Sequence, residues 1–258
     1  NVEEGNILDM GPTFAEGTQG FYVPRYVIEG DEDRGIEPMA PDLESVFDLK
    51  DHNHLFPDEA DPDMGRIVIG VSGWEATAIN EAKVTIYGLD DYFNAEEVGS
   101  TAAVEALMVS SHEAGDPLVV YYWEPTWLYG MYDFVMLEEP EHSPEVMAQL
   151  SDVASGEMDL DDLDEACGYE VISVPMGVYA GLKDRAPEVV EMLGNMKIGA
   201  EENSAAAGWM HEEDAEPEEA AIWYLENFEE RWREWIPDEE VEQRIEEALI
   251  EAGADLGG

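Results

Sequence analysis

Two tryptophans stand where apolar runs end. Trp74 follows "RIVIGVSG" and Trp123 follows "PLVVYY". Both runs are β-branched or aromatic and bounded by Gly or Pro, so they read as buried strands. An indole face attracts a cation that cannot hydrogen bond, such as a quaternary ammonium, through its ring quadrupole. Trp74 also opens the helical pattern "WEATAIN". The amides of Glu75 and Ala76 then lack intrahelical partners and sit at the positive end of a helix dipole, where a carboxylate binds. In α/β sheets, ligands bind outside the carboxyl ends of the strands. An anion seat beside an aromatic wall there suits a small zwitterion with a methylated cation.

Other chemistry finds little support. "GVSGW" departs from the G-x-S-x-G nucleophile elbow, because Trp74 stands where Gly is needed. "HEAGD" (112–116) begins like H-E-x-x-H but ends in Asp116, so it forms no zinc pair. "DLKDHNH", "DEADPDMG" and "MDLDDLDEA" offer oxygen ligands without the spacing of a calcium loop. No Gly-rich phosphate loop is present. The five histidines, His52, His54, His112, His142 and His211, lie mostly in acidic, loop-like surroundings and read as solvated. Cys167 is the single cysteine, so it can form neither an internal disulfide nor a CxxC metal site and reads as a buried free thiol. The expectation is therefore no catalytic residue, no metal and no cofactor. An enzyme acting on a zwitterion is the competing class, and Glu124 is its one obvious titratable candidate. An acidic protein-binding module would leave the paired tryptophans unexplained.

The elements that must position these residues alternate between strand and helix. "QGFYVPRYVI" (19–28) reads as a strand interrupted by Pro24, and a short helix is expected around 42–49. Strand 66–71, a helix from Ala76 to Tyr87 and a short strand at 94–98 follow. Ser100 or Thr101 caps a helix carrying Val104, Leu107 and Met108. Strand 117–122, a turn or short helix, and strand 133–138 come next. An acidic loop (139–167) leads to strand 169–175. Pro187 starts one helix and Asp214 with Pro217 another, whose buried stripe is expected at Ala221, Leu225, Phe228, Trp232 and Trp235. Helical spacing assigns most of Trp127, Trp209, Trp223, Trp232 and Trp235 to a core. The last helix buries Val241, Ile245 and Leu249 and stops near Gly253. The alternation predicts an α/β fold with a largely parallel sheet.

Charge narrows the partners. The 258 residues carry 63 acids against 11 bases, net −52, spread along the whole chain. Such a surface repels nucleic acid and anionic membranes. It fits concentrated salt, because at about 1 M the Debye length falls to ~3 Å and self-repulsion is muted. The 45% hydrophobic content still supports a core. No run is long and apolar enough to span a membrane, and the opening at Asn1 shows no signal-peptide pattern.

Four stretches carry a resemblance: "GPTFAEGTQGFYVP", "SGWEATAIN", "YYWEPTWLYGMYDFVMLEEP" and "AAAGWMHEEDAEPEEAAIWYLENFEERWREWIP". Together they resemble the substrate-binding proteins of glycine betaine/proline-type ABC importers. The pairing of "GW…AIN" with "YYW.P.W" is the distinctive part. The resemblance implies a two-lobed clamshell of the type II periplasmic-binding-protein class, with the ligand in a tryptophan cage. It places Trp74 and Trp123 as cage tryptophans and Glu75 and Ala76 at the carboxylate-binding amides, so the charge of Glu75 must point away. It also implies the ligand set of glycine betaine, proline betaine, choline or carnitine, an ABC permease as partner, and osmoprotection. The location implied is extracytoplasmic, periplasmic or anchored to the outer face of the cytoplasmic membrane. Family members carry a longer amino-terminal part with a third cage aromatic, so the first lobe is expected to be incomplete here. Residues 1–22 would then end the first segment of lobe one, 23–171 form lobe two, and 172–258 form the carboxy-terminal part of lobe one. "GTQGFYVP" and "GYEVISVP" would be the strands crossing between them.

Overall fold

The structure is a computed structural model that describes residues 5–251 and 253. In chain order it contains β1 (Ile7–Pro24), α1 (Arg25–Glu29), α2 (Leu49–His52), β2 (Gly65–Val71), α3 (Glu75–Ile86), β3 (Phe93–Val98) and α4 (Thr101–Ala114). Then come β4 (Val120–Glu124), α5 (Trp127–Met131), β5 (Phe134–Met136), α6 (Pro144–Ser155) and β6 (Ile172–Tyr179). The chain closes with α7 (Leu182–Arg185), α8 (Pro187–Asn195), α9 (Ala200–Glu212), α10 (Pro217–Asn227), α11 (Glu229–Arg233) and α12 (Glu239–Glu251). Two compact units divide the chain. One gathers the residues up to Gly17, Glu124–Met131 and those from Val171 onward; the other holds Thr18–Trp123 and Tyr132–Glu170.

The second of these units carries the sheet order β3-β2-β4-β1-β5. β2 pairs in parallel with β3 and with β4, where Val68 faces Val120. β5 runs antiparallel to β1, with Val23 opposite Val135. β2 is buried along nearly its whole length, as a central strand covered on both faces must be. Ile67 and Ile69 pack with Ile79 and Ala82 of α3 in one core. Val68 points to the other face by the two-residue period of a strand. Ser100 caps α4, its hydroxyl accepting from the Ala103 amide at 3.2 Å, and Gly115 ends that helix at φ +75°. Cys167 is a buried free thiol.

In the other unit, β6 pairs antiparallel with the Ile7–Gly17 part of β1. Its helices bury Tyr224, Trp232, Trp235 and Leu249 together. Gly130 of α5 lies so close to α9 that an added Cβ would meet the Ser204 carbonyl oxygen at 2.1 Å. Only a glycine admits that approach.

Several expectations need correction. β1 ends at Pro24, and Arg25–Glu29 is helical rather than strand. The helix expected around 42–49 is a chain of short turns from Val46 to Leu55, capped by Ser45 with Asp48. The acidic stretch 139–167 holds a full helix, α6, with Ser143 at its cap, Pro144 in its first turn and Gly156 ending it at φ +79°. The long helix expected beyond Pro217 breaks at Phe228. Ala221 is consequently exposed, and the buried positions are Ala220, Tyr224, Trp232 and Trp235. Trp127, Trp209 and Trp223 are only partly buried, Trp209 stacking on Trp223 at 5.5 Å. In α12 Leu249 is buried, while Val241 and Ile245 are half-buried.

Candidate ligand-binding site

β2 delivers the chain to a tight turn. Gly73 sits at φ +87°, a left-handed conformation that favours glycine. Trp74 then adopts an extended backbone as the N-cap of α3 and supplies no side-chain cap. The first-turn amides of Glu75 and Ala76 therefore receive no capping oxygen from it. Two buried side chains fasten the helix to the strand: Thr77 Oγ1 donates to the Val71 carbonyl at 2.7 Å, and Asn80 Nδ2 to the Ile69 carbonyl at 2.9 Å. Gly70 leaves room for Thr77, whose hydroxyl would lie 2.6 Å from an added Cβ.

The parallel register of Val68 with Val120 carries the second tryptophan to the same end of the sheet. Trp123 lies within β4, one residue before its end, rather than beyond the strand. The Trp74 and Trp123 rings stand 5.4 Å apart at 59°, two walls of an open angle. Tyr122 stacks on Trp123 at 4.3 Å, and its hydroxyl donates to Glu105 of α4 at 3.0 Å. Both tryptophans are half-buried, Glu75 is exposed and Ala76 is half-buried. Glu75 lines a shallow depression of about 480 Å³ with Trp74, Ala78, Glu97 and Ser155. The structure thus brings Trp74, Glu75, Ala76 and Trp123 together at the carboxyl ends of two adjacent parallel strands.

Beneath this surface lies a polar cluster that sequence reasoning missed. Lys83 of α3 is fully buried in an ion pair with Glu139, itself almost fully buried. Burial holds the Lys83 ammonium below its ordinary value, opposed by the Glu139 charge. The Tyr169 ring faces Lys83 Nζ at 4.3 Å. Burial pushes the Tyr169 and Tyr121 phenols well above their usual range, so both remain donors, Tyr121 to Gln19 Oε1 at 2.6 Å. The available signal was Lys83 itself, three residues after Asn80 and so on the same side of α3.

His54 and His211 are exposed, as expected, whereas His52, His112 and His142 are half-buried. His112 packs against Tyr26, Tyr132 and Phe134, and His211 stacks on Trp127 at 3.8 Å. Glu124, the enzyme candidate, is the last residue of β4 and half-buried. Among the described residues no group of His, Cys, Asp and Glu could hold a metal ion, and no helix is long and apolar enough to cross a membrane.

The site thus joins a helix N-terminus and an aromatic angle at the carboxyl ends of β2 and β4, the adjacent parallel strands of a mixed sheet in an α/β protein. The chain belongs to the family of substrate-binding domains of the ABC-type glycine betaine transport system, whose model matches residues 1–227. It is accordingly an α/β protein of the type II periplasmic-binding-protein class and a receptor for quaternary-ammonium solutes in ABC import, with a permease as partner. Apo YehZ from Escherichia coli is similar at a TM-score of 0.50 and 14% identity, over 89% of this chain and 68% of that one. The glycine/betaine/L-proline-binding protein ProX from Borrelia burgdorferi shows 18% identity and a TM-score of 0.48, over 93% and 73%. Lactococcal OpuAC, complexed with glycine betaine, shows 18% identity and a TM-score of 0.48, over 89% and 71%.

Proposed function

We propose that Trp74 and Trp123 hold the methylated ammonium of the ligand and that the amides of Glu75 and Ala76 hold its carboxylate. The observation that carries this reading is the pair of indoles at 5.4 Å and 59° beside a helix N-terminus without a side-chain cap. The exposed Glu75 side chain is free to keep its charge out of the anion seat. An anion seat favours glycine betaine, proline betaine or carnitine over choline, which lacks a carboxylate. The protein captures the solute and hands it over unchanged, on the outer side of the cytoplasmic membrane. Residues 23–171 serve as lobe two, with 1–22 and 172–258 as parts of lobe one; of these, 1–4, 252 and 254–258 lie outside the described residues. The division of the chain near Gly17 and Glu170 supports that reading, with Glu124–Met131 added to the first lobe.

Calorimetry with glycine betaine, choline and glycine tests the ligand. In a protein with both lobes complete, betaine should bind in the micromolar range, about 8 kcal/mol, choline more weakly and glycine not measurably. Mass analysis of the recovered betaine should show it intact. A folded protein that takes up no betaine, or that converts it, contradicts the reading.

A further inference from the structure

α3 turns an unusual face to the protein interior. Ala76, Asn80, Lys83 and Tyr87 follow one another at spacings of four, three and four, so they share one side of the helix. That side meets Tyr169 and Glu139 through directed contacts. The Tyr169 hydroxyl donates to Asn80 Oδ1 at 2.9 Å and lies 3.3 Å from the Ala76 carbonyl oxygen. Lys83 Nζ pairs with Glu139 under the Tyr169 ring, and the Tyr87 hydroxyl donates to Glu139 Oε1 at 3.0 Å.

A buried ion pair is a poor way to gain stability, because desolvation offsets the attraction and apolar side chains of similar volume do as well. Its advantage is direction. Apolar packing tolerates small slides, whereas α3 cannot shift by a fraction of an ångström along β2 without straining the bonds of Thr77, Asn80, Tyr87 and Tyr169 together. A site made from backbone amides needs its helix placed within about 0.5 Å. Ala76 joins the two systems: its amide belongs to the proposed anion seat, and its carbonyl faces Tyr169.

We infer that Lys83, Glu139 and Tyr169 are positioning residues that fix the first turn of α3, and with it Trp74 and the amides of Glu75 and Ala76, for ligand binding. This rests on the reading of the site given above. Two variants of the full chain test it. Tyr169→Phe keeps the ring over Lys83 and removes the donor. Lys83→Met with Glu139→Gln removes both charges and leaves an acceptor for Tyr87. Well below the melting temperature, each should weaken betaine binding about tenfold, within the penalty carried by ångström-scale misplacement. Amide exchange of residues 78–83 should accelerate more than that of α4. Unchanged affinity with exchange altered equally in α3 and α4 would reduce the network to a stabilising one and overturn the inference. If the folded wild-type protein takes no betaine, the ligand reading falls and exchange decides alone: acceleration confined to α3 supports positioning, and uniform acceleration overturns it.

Discussion

The Trp74–Trp123 pair and the Trp232–Trp235 group place the same residue type in opposite settings. Trp232 is 1% exposed, its indole N–H donates to the Leu225 carbonyl at 2.7 Å, and the Arg233 guanidinium lies over its ring at 4.8 Å. Trp235 stacks with Tyr224 at 6.2 Å. Every surface of Trp232 is engaged by its own helices. Trp74 and Trp123 are half-buried, and each sits where parallel strands hand the chain onward. A tryptophan in a helical stripe serves the core, whereas one beside unpaired backbone donors can serve a ligand. Local backbone, more than residue identity, sorts the two roles.

The largest effect should fall on the buried group. Trp232→Ala should lower stability by about 3–5 kcal/mol, read by denaturant unfolding, and leave the betaine affinity of the folded fraction unchanged. Trp74→Ala or Trp123→Ala should do the reverse. Each removes a desolvated cation–π contact of up to ~2 kcal/mol, which weakens binding by about one decade at roughly 1.4 kcal/mol per decade, with a smaller loss of stability. Equal affinity in these two variants by calorimetry would erase the distinction between the groups.

The elements around the first pair were legible because β2 and β4 are rich in β-branched and aromatic residues, and Ser100 announces its helix. The candidate residues Trp74, Glu75, Ala76 and Trp123 were legible for the same reason. α6 was not, although Ser143, Pro144 and Gly156 spell its ends, because the density of acids around it mimics a loop. The helix expected through Phe228 fails for a local reason. Asn227 Nδ2 turns back to the Trp223 carbonyl at 2.8 Å, satisfying a last-turn acceptor as the backbone leaves the helix. The Lys83 network was hidden since a helical lysine ordinarily reads as a surface charge, and its partners, Glu139 and Tyr169, lie far along the chain.

A moderate effect should come from salt. With 63 acids against 11 bases, self-repulsion opposes the compact state at low ionic strength. The melting temperature should rise between about 0.1 and 2 M NaCl or KCl as screening shortens. Betaine affinity should change much less, because the indole and amide contacts carry no net protein charge. A flat or falling melting temperature would remove the saline adaptation without touching the site.

The smallest effect concerns His112. Burial first, and the Arg34 guanidinium next, hold its imidazole below its ordinary value, opposed by Asp31, Asp133 and Glu113. The neutral ring is therefore favoured in the fold. Its contribution is present above the unfolded value of about 6.5 and is lost as pH falls through the lower folded value. Between about pH 7 and pH 5 the melting temperature should drop more in the wild type than in His112→Gln. His112 lies in the last turn of α4, whose chain leads on to the amino end of β4, opposite Trp123, so betaine affinity in the folded state should not follow this titration.

The most direct test of the site is an amide and indole correlation spectrum recorded while glycine betaine is added to the folded protein. The account predicts that the backbone amides of Glu75 and Ala76 and the indole N–H signals of Trp74 and Trp123 shift together along one binding curve, while the indole of Trp232 stays in place. Saturable binding that leaves those four signals unmoved and shifts others would contradict it.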